Sequence, residues 1–235
     1  MKFFPFRRQR QPVDMPVKDC RFVVLDTELT GLNERKDSIV SIGAVRMLGF
    51  RIDLSNTFNR LVRPETALSH ESILIHGITP SELDDQPAVR SVLSDFSIYC
   101  SEDILVGYCI AIDMAFLNRQ LKATLGETLL NPVADIYRLY EWLRNRRDRQ
   151  NSKGKRFPAL SGAGLYEMAR IFDIPISAGH DAFTDAFITA QIFQRILYML
   201  SEEGILNSRE LLKIADPYRP DDVFNTAEGK TDFPL

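Results

Sequence analysis

Apolar residues recur along this chain in two rhythms. Residues 21–25, 39–48, 52–62, 104–108 and 133–136 are short runs rich in Val, Ile, Leu and Phe, the pattern of buried strands. Gly49 and Phe50 mark a tight turn between the second and third of these runs. Elsewhere apolar positions return every three or four residues, as in Val89, Val92, Leu93 and Phe96 within 88–100 and Met114, Leu117, Leu121 and Leu125 within 113–125. A helix across Tyr140 and Leu143, two more over 160–172 and 182–200, and a short one over 208–214 complete the set. Gly77-Ile78-Thr79-Pro80 breaks the irregular stretch that follows Arg63-Pro64. Three strands in close succession predict an antiparallel meander, and the alternation that follows predicts a mixed α/β domain.

These elements divide the chain into a basic, proline-containing extension over residues 1–20, one α/β domain over 21–200, and a short helix with a tail rich in Asp, Pro and Asn over 201–235. At 235 residues and 45% hydrophobic, the sequence can fill one sizeable core. No apolar run approaches the roughly 18 residues of a membrane span, and MKFFPFRRQRQP lacks the apolar centre of a secretory signal, so a cytoplasmic protein with no membrane partner is expected. Cys20, Cys100 and Cys109 have no metal-binding spacing and fit reduced thiols. A net charge of −3 gives no global pull toward a polyanion, so nucleic acid must be met locally. Arg144, Arg146, Arg147, Arg149, Lys153, Lys155 and Arg156, against the single acid Asp148, predict a basic loop that is either solvated surface or a contact to phosphates.

The chemistry starts where the first apolar run ends. Successive side chains on a strand face opposite ways, so in Leu25-Asp26-Thr27-Glu28 the two carboxylates share a face and Thr27 turns from them. An Asp-x-Glu triplet is expected roughly once by chance in a chain with 32 acids, so its weight comes from its place at the carboxyl end of a strand. Neighbouring carboxylates repel, and a hard divalent cation between them is the natural relief. Asp185 lies on the stripe of Ile188, Ile192 and Ile196, where a lone carboxylate must be paired or metal-bound. Asp113 precedes Phe116 and Leu117, which face the core, and its place also suits first-turn capping. His180, five residues before Asp185 in a glycine-flanked loop, is poised to accept a proton near neutral pH.

Three segments now carry a resemblance: Asp26-Thr27-Glu28-Leu29-Thr30-Gly31, the run from Val106 through Asp113 to Leu117, and His180-Asp181-Ala182-Phe183-Thr184-Asp185. Together they resemble the three motifs of the DEDDh exonucleases, the family of the proofreading subunit of bacterial DNA polymerase III, ribonuclease T and oligoribonuclease. Ile75-His76-Gly77-Ile78-Thr79 adds a segment similar to one in proofreading-like members. The sister group with a tyrosine four residues before the last acid does not fit, because position 181 is Asp181. The resemblance implies a ribonuclease H-like fold, with a central mixed five-stranded sheet flanked by helices. It further implies that Asp26, Glu28, Asp113 and Asp185 hold two divalent cations, Mg²⁺ or Mn²⁺, and that His180 is the general base. Thr27, Leu29, His76, Tyr108 and Phe116 are the implied substrate contacts, and Arg146, Arg147 and Arg149 of the basic loop are added to them. The implied partner is a nucleic-acid 3′ end, with single-stranded DNA favoured over RNA, from which nucleoside 5′-monophosphates are released. Tyr108-Cys109 stands where many relatives have His-Asn, a change that leaves the acids intact and bears on how the scissile nucleotide is positioned.

Two classes of function meet these residues: a metal-dependent 3′→5′ exonuclease, and a non-catalytic module that binds nucleic acid or protein on the same fold. A scaffold freed from catalysis has little reason to keep Asp185 on an apolar stripe beside His180, which favours the enzyme.

Overall fold

The computed structural model describes residues 14–149, 158–160, 164–176 and 180–219. The five strands are β1 (Arg21–Leu29), β2 (Ile39–Leu48), β3 (Arg51–Leu61), β4 (Ile104–Gly107) and β5 (Val133–Asp135). The α-helices among the described residues are α1 (His70–His76), α2 (Pro80–Leu83), α3 (Val89–Cys100), α4 (Ala111–Leu125), α5 (Ile136–Arg149), α6 (Leu165–Ile171), α7 (Ala182–Glu202) and α8 (Ser208–Ala215). The sheet runs β3-β2-β1-β4-β5, with β1, β2 and β3 antiparallel and β4 and β5 parallel to β1. This is the mixed five-stranded sheet of the ribonuclease H-like fold, with its meander first and its parallel crossovers after.

Alternation along β1 builds two cores. Phe22 and Val24 face the layer of α5, α7 and α8, whereas Val23 and Leu25 face α3 and α4. Helix α7 buries Ile188, Ile192, Phe193, Ile196, Leu197 and Leu200. At about 1.5–3 kcal/mol for each large apolar side chain, that stripe contributes on the order of 10 kcal/mol before the entropic cost of ordering it. Its direction is set at its first turn, where the Asp181 carboxylate accepts the N–H groups of Phe183 at 3.2 Å and Thr184 at 3.1 Å.

Two of the boundaries that differ from the sequence expectation bear on function. Strand β1 continues to Leu29 because Asp26, Glu28 and Leu29 pair with Gly43, Ser41 and Ile39 of β2, so the first two acids sit inside the sheet. The basic stretch is helical up to Arg149, because ion pairs hold the end of α5: Arg144 to Glu141, Arg146 to Glu203 at 2.5 Å and Arg147 to Glu202 at 3.7 Å. Lys153, Lys155 and Arg156 lie outside the described residues. No described helix is long and apolar enough to cross a membrane.

Candidate active site

Three elements converge at the carboxyl end of β1. The strand presents Asp26 and Glu28 on one face, the first turn of α4 brings Asp113, and the first turn of α7 brings Asp185. Among the described residues, Asp26, Glu28 and Asp185 each offer a carboxylate oxygen, and these oxygens lie within 4.8 Å of one another. Asp113 stands beside this trio, with its Oδ1 accepting the Thr27 hydroxyl at 2.6 Å. Convergence depends on Gly43, the β2 partner of Asp26: a Cβ there would fall 2.2 Å from the Ala182 carbonyl carbon, the Ala182 oxygen and the Phe183 nitrogen. The missing side chain is what lets the start of α7 rest on the sheet.

The electrostatics are those of a cation site. Burial is the first reason that Asp26 is held well above the ordinary aspartate range, and Asp113, Glu28, Asp185 and Asp181 add to it, all of them negative. Burial and then Asp185, Asp113 and Asp181 push Glu28 up to about 8. Asp113 is raised by burial to about 7 against the opposing hydrogen bond from Thr27. Asp185 is also raised by burial, with the Tyr166 hydroxyl and His180 acting the other way. Four carboxyls that resist ionising together, with oxygens of three inside one small sphere, fit hard divalent cations as their counter-charge.

His180 is half-exposed at the mouth of the site, and its Nδ1 lies 3.7 Å from Asp185 Oδ2. Its ring rests against that of Tyr166, with centroids 4.7 Å apart at 42°. Tyr166, from α6, also donates its hydroxyl to Asp185 Oδ1 at 2.8 Å, and burial and Asp185 raise its own pKa. Helical periodicity gives no reason to single it out. Asp135 is a second residue the sequence reading passes over: buried at the end of β5, it accepts the N–H groups of Cys109 at 3.1 Å and Tyr137 at 2.9 Å. Cys109 has φ +50°, a left-handed conformation uncommon for a residue with a side chain, and the Asp135 carboxylate braces it just ahead of α4. The available signal was an acid at a strand-to-helix junction, Ala134-Asp135-Ile136.

The expected substrate contacts divide. Leu29 is partly buried against the core of α3 and α4, just past a register shift at the end of β1. Thr27 faces away from Asp26, and its hydroxyl is engaged with Asp113. His76 is buried, its Nδ1 accepting the Ile78 N–H at 3.0 Å, and burial lowers its pKa. The Tyr108 hydroxyl is buried without a hydrogen-bond partner among the described residues, its ring edge-on to Tyr137 at 6.1 Å. Phe116 is 0% exposed, within the core that α3 and α4 build. Arg146 and Arg147 pair with Glu203 at 2.5 Å and Glu202 at 3.7 Å, at the far end of α7 from Asp185. Seventeen residues of helix separate Glu202 from Asp185, about 25 Å at 1.5 Å per residue. Arg149 is exposed at the last position of α5.

The profile of the RNase T exonuclease family matches residues 23–193. The PolC-type DNA polymerase III of Oceanobacillus iheyensis is 33% identical over 198 residues, covering 84% of this chain and 13% of that protein. The DNA polymerase III subunit epsilon of Aquifex aeolicus is 31% identical over 179 residues, covering 76% of this chain and 81% of that one. This chain thus spans about an eighth of the length of the PolC-type relatives. Among solved structures, Escherichia coli exonuclease I in complex with a dT13 oligonucleotide superposes with a TM-score of 0.66 at 16% identity, covering 79% of this chain and 43% of that one. Exonuclease X in complex with 5′-overhanging duplex DNA gives 0.58 at 19% identity, covering 82% and 98%.

Proposed function

The chain belongs to the RNase T exonuclease family, and from that premise we propose that it is a metal-dependent 3′→5′ exonuclease that releases nucleoside 5′-monophosphates from single-stranded DNA ends. The observation that carries the reading is the meeting of Asp26, Glu28 and Asp185 oxygens within 4.8 Å, with Asp113 and His180 beside them. DNA is preferred to RNA because relatives are named as DNA polymerase III chains, and exonuclease I was solved with a DNA oligonucleotide. A site at the surface end of one strand and two helix starts suits a frayed terminus better than a paired one.

Asp26, Glu28, Asp113 and Asp185 would hold two divalent cations, Mg²⁺ or Mn²⁺. When bound, these supply charge neutralisation at the phosphate and a more acidic attacking water. His180 accepts the proton of that water at Nε2, while Asp185, 3.7 Å from Nδ1, stabilises the imidazolium that results. The water oxygen bonds to phosphorus as the bond from phosphorus to the preceding 3′ oxygen breaks; that oxygen takes a proton from solvent to become the new 3′-hydroxyl of the shortened strand, and the terminal nucleotide leaves as its 5′-monophosphate. Glu28 also receives the terminal 3′-hydroxyl, and Leu29 presses on the last base. Thr27 keeps Asp113 turned to its place without touching the substrate.

The test is a 5′-labelled single-stranded DNA oligonucleotide incubated with Mn²⁺, with and without chelator. Stepwise shortening from the 3′ end, abolished by chelator and by Asp26→Ala, is expected. Equal binding by wild type and variant, with no shortening by either, overturns the reading in favour of a non-catalytic module.

A further inference from the structure

The acids of the site are not held alike. Asp26 and Glu28 are fixed by a paired strand, and Asp113 by the Thr27 hydroxyl at 2.6 Å. Asp185 stands in the first turn of α7, where its carboxylate turns about two side-chain torsions. His180 is 48% exposed and, at 3.7 Å, too far from Asp185 for a hydrogen bond. One side chain touches both. The Tyr166 hydroxyl donates to Asp185 Oδ1 at 2.8 Å, and the Tyr166 ring lies 4.7 Å from the His180 ring.

A tyrosine is well suited to this place. Lysine or arginine would hold the carboxylate equally well but would neutralise it and compete with a cation. A phenol restrains the carboxylate with one neutral donor, so the negative charge stays available to the site. Its flat face meanwhile limits the tilt of the imidazole. Helix α6 packs against α7, so the support arrives from an element that carries none of the four acids.

We infer that Tyr166 is a positioning residue for both Asp185 and His180, the hydroxyl fixing the carboxylate for metal and the ring fixing the imidazole for proton transfer. The inference rests on the metal-dependent reading above, and two variants separate its halves. Tyr166→Phe keeps the ring and removes the hydrogen bond; Tyr166→Leu removes both. Mn²⁺ binding by calorimetry, kcat and KM on a DNA 3′ end, and thermal midpoint are measured for each. A hydrogen bond to a charged group corresponds to roughly a tenfold effect or more, so Tyr166→Phe is expected to weaken Mn²⁺ binding about tenfold and lower kcat by a similar factor. KM stays as in wild type, because Tyr166 does not meet the substrate. Tyr166→Leu is expected to match the Phe variant in Mn²⁺ binding and to lose a further several-fold in kcat, reflecting His180.

Wild-type Mn²⁺ affinity and kcat in Tyr166→Phe overturn the inference, as does a loss confined to KM or to thermal midpoint. If Tyr166→Leu folds poorly, the Phe variant alone decides. Wild-type protein that binds Mn²⁺ but releases no nucleotide overturns the proposed function, while the Mn²⁺ comparison still decides the hydroxyl's role. Wild-type protein that binds no Mn²⁺ overturns both.

Discussion

Replacing Gly43 by alanine should disable the site without touching any acid. The new Cβ would lie 2.2 Å from three backbone atoms of Ala182 and Phe183. Non-bonded carbon contacts settle near 3.5 Å or beyond, so the start of α7 must retreat by about 1.3 Å. Backbone on both sides leaves no flexible side chain to absorb the clash. Asp185 follows three residues after Ala182 in the same rigid turn and moves with it. One oxygen each from Asp26, Glu28 and Asp185 lies within 4.8 Å of the others, so a shift of about 1.3 Å takes Asp185 out of shared coordination. A misplacement of about 1 Å can cost on the order of 100-fold in rate, and overpacking of this kind costs about 1–3 kcal/mol in stability. Nucleotide release with saturating Mn²⁺ and the thermal midpoint, measured together, read both effects. The expected result is a loss of about two orders of magnitude in kcat in a protein that still unfolds cooperatively. A Gly43→Ala variant with wild-type kcat would refute the claim that this contact sets the position of Asp185.

Other outcomes follow from the same geometry. In the metal-free protein, Asp113 and Glu28 titrate near 7 and near 8, above their unfolded values of about 4. The folded state therefore retains protons the unfolded chain has shed, and stability should fall as pH rises from about 5 to about 8; a thermal midpoint that climbs across this range contradicts the assignment. Added Mn²⁺ should raise the midpoint most at the alkaline end of that window, where the carboxylates are ionised. Thr27→Val removes the 2.6 Å hydrogen bond to Asp113 while keeping the strand's shape, and should lower kcat roughly tenfold with little change in KM; an unchanged kcat shows that Asp113 needs no such restraint. Arg146→Ala breaks a partly exposed pair with Glu203 and should cost at most about 1 kcal/mol in stability, leaving oligonucleotide affinity and its salt dependence unchanged. A clear loss of affinity would return that arginine to the nucleic-acid surface.

The order and kind of elements were largely legible in the sequence because each carries one apolar period along its length. The acids were legible for a different reason: a carboxylate on an apolar stripe, as at Asp185, conflicts with its surroundings and announces a task. Gly43, Asp135 and Tyr166 escaped because their roles exist only across the fold. Gly43 is small for the sake of a helix that begins well over a hundred residues later, and Tyr166 serves an acid 19 positions away on another helix. The pairing of Arg146 escaped as well, since a charge run looks the same whether it faces solvent or meets Glu203 57 positions on. For Phe116 the motif gave the place but not the facing. The helix carrying Asp113 turns that ring into the core.

The central claim is that four carboxylates from β1, α4 and α7 form one cation site. Anomalous diffraction from crystals grown with Mn²⁺ tests it most directly. Density for Mn²⁺ touching Asp26, Glu28 and Asp185, with Asp113 completing the surround, is the result expected. Well-ordered side chains at these positions with no anomalous peak among them, in millimolar Mn²⁺ near neutral pH, would contradict it.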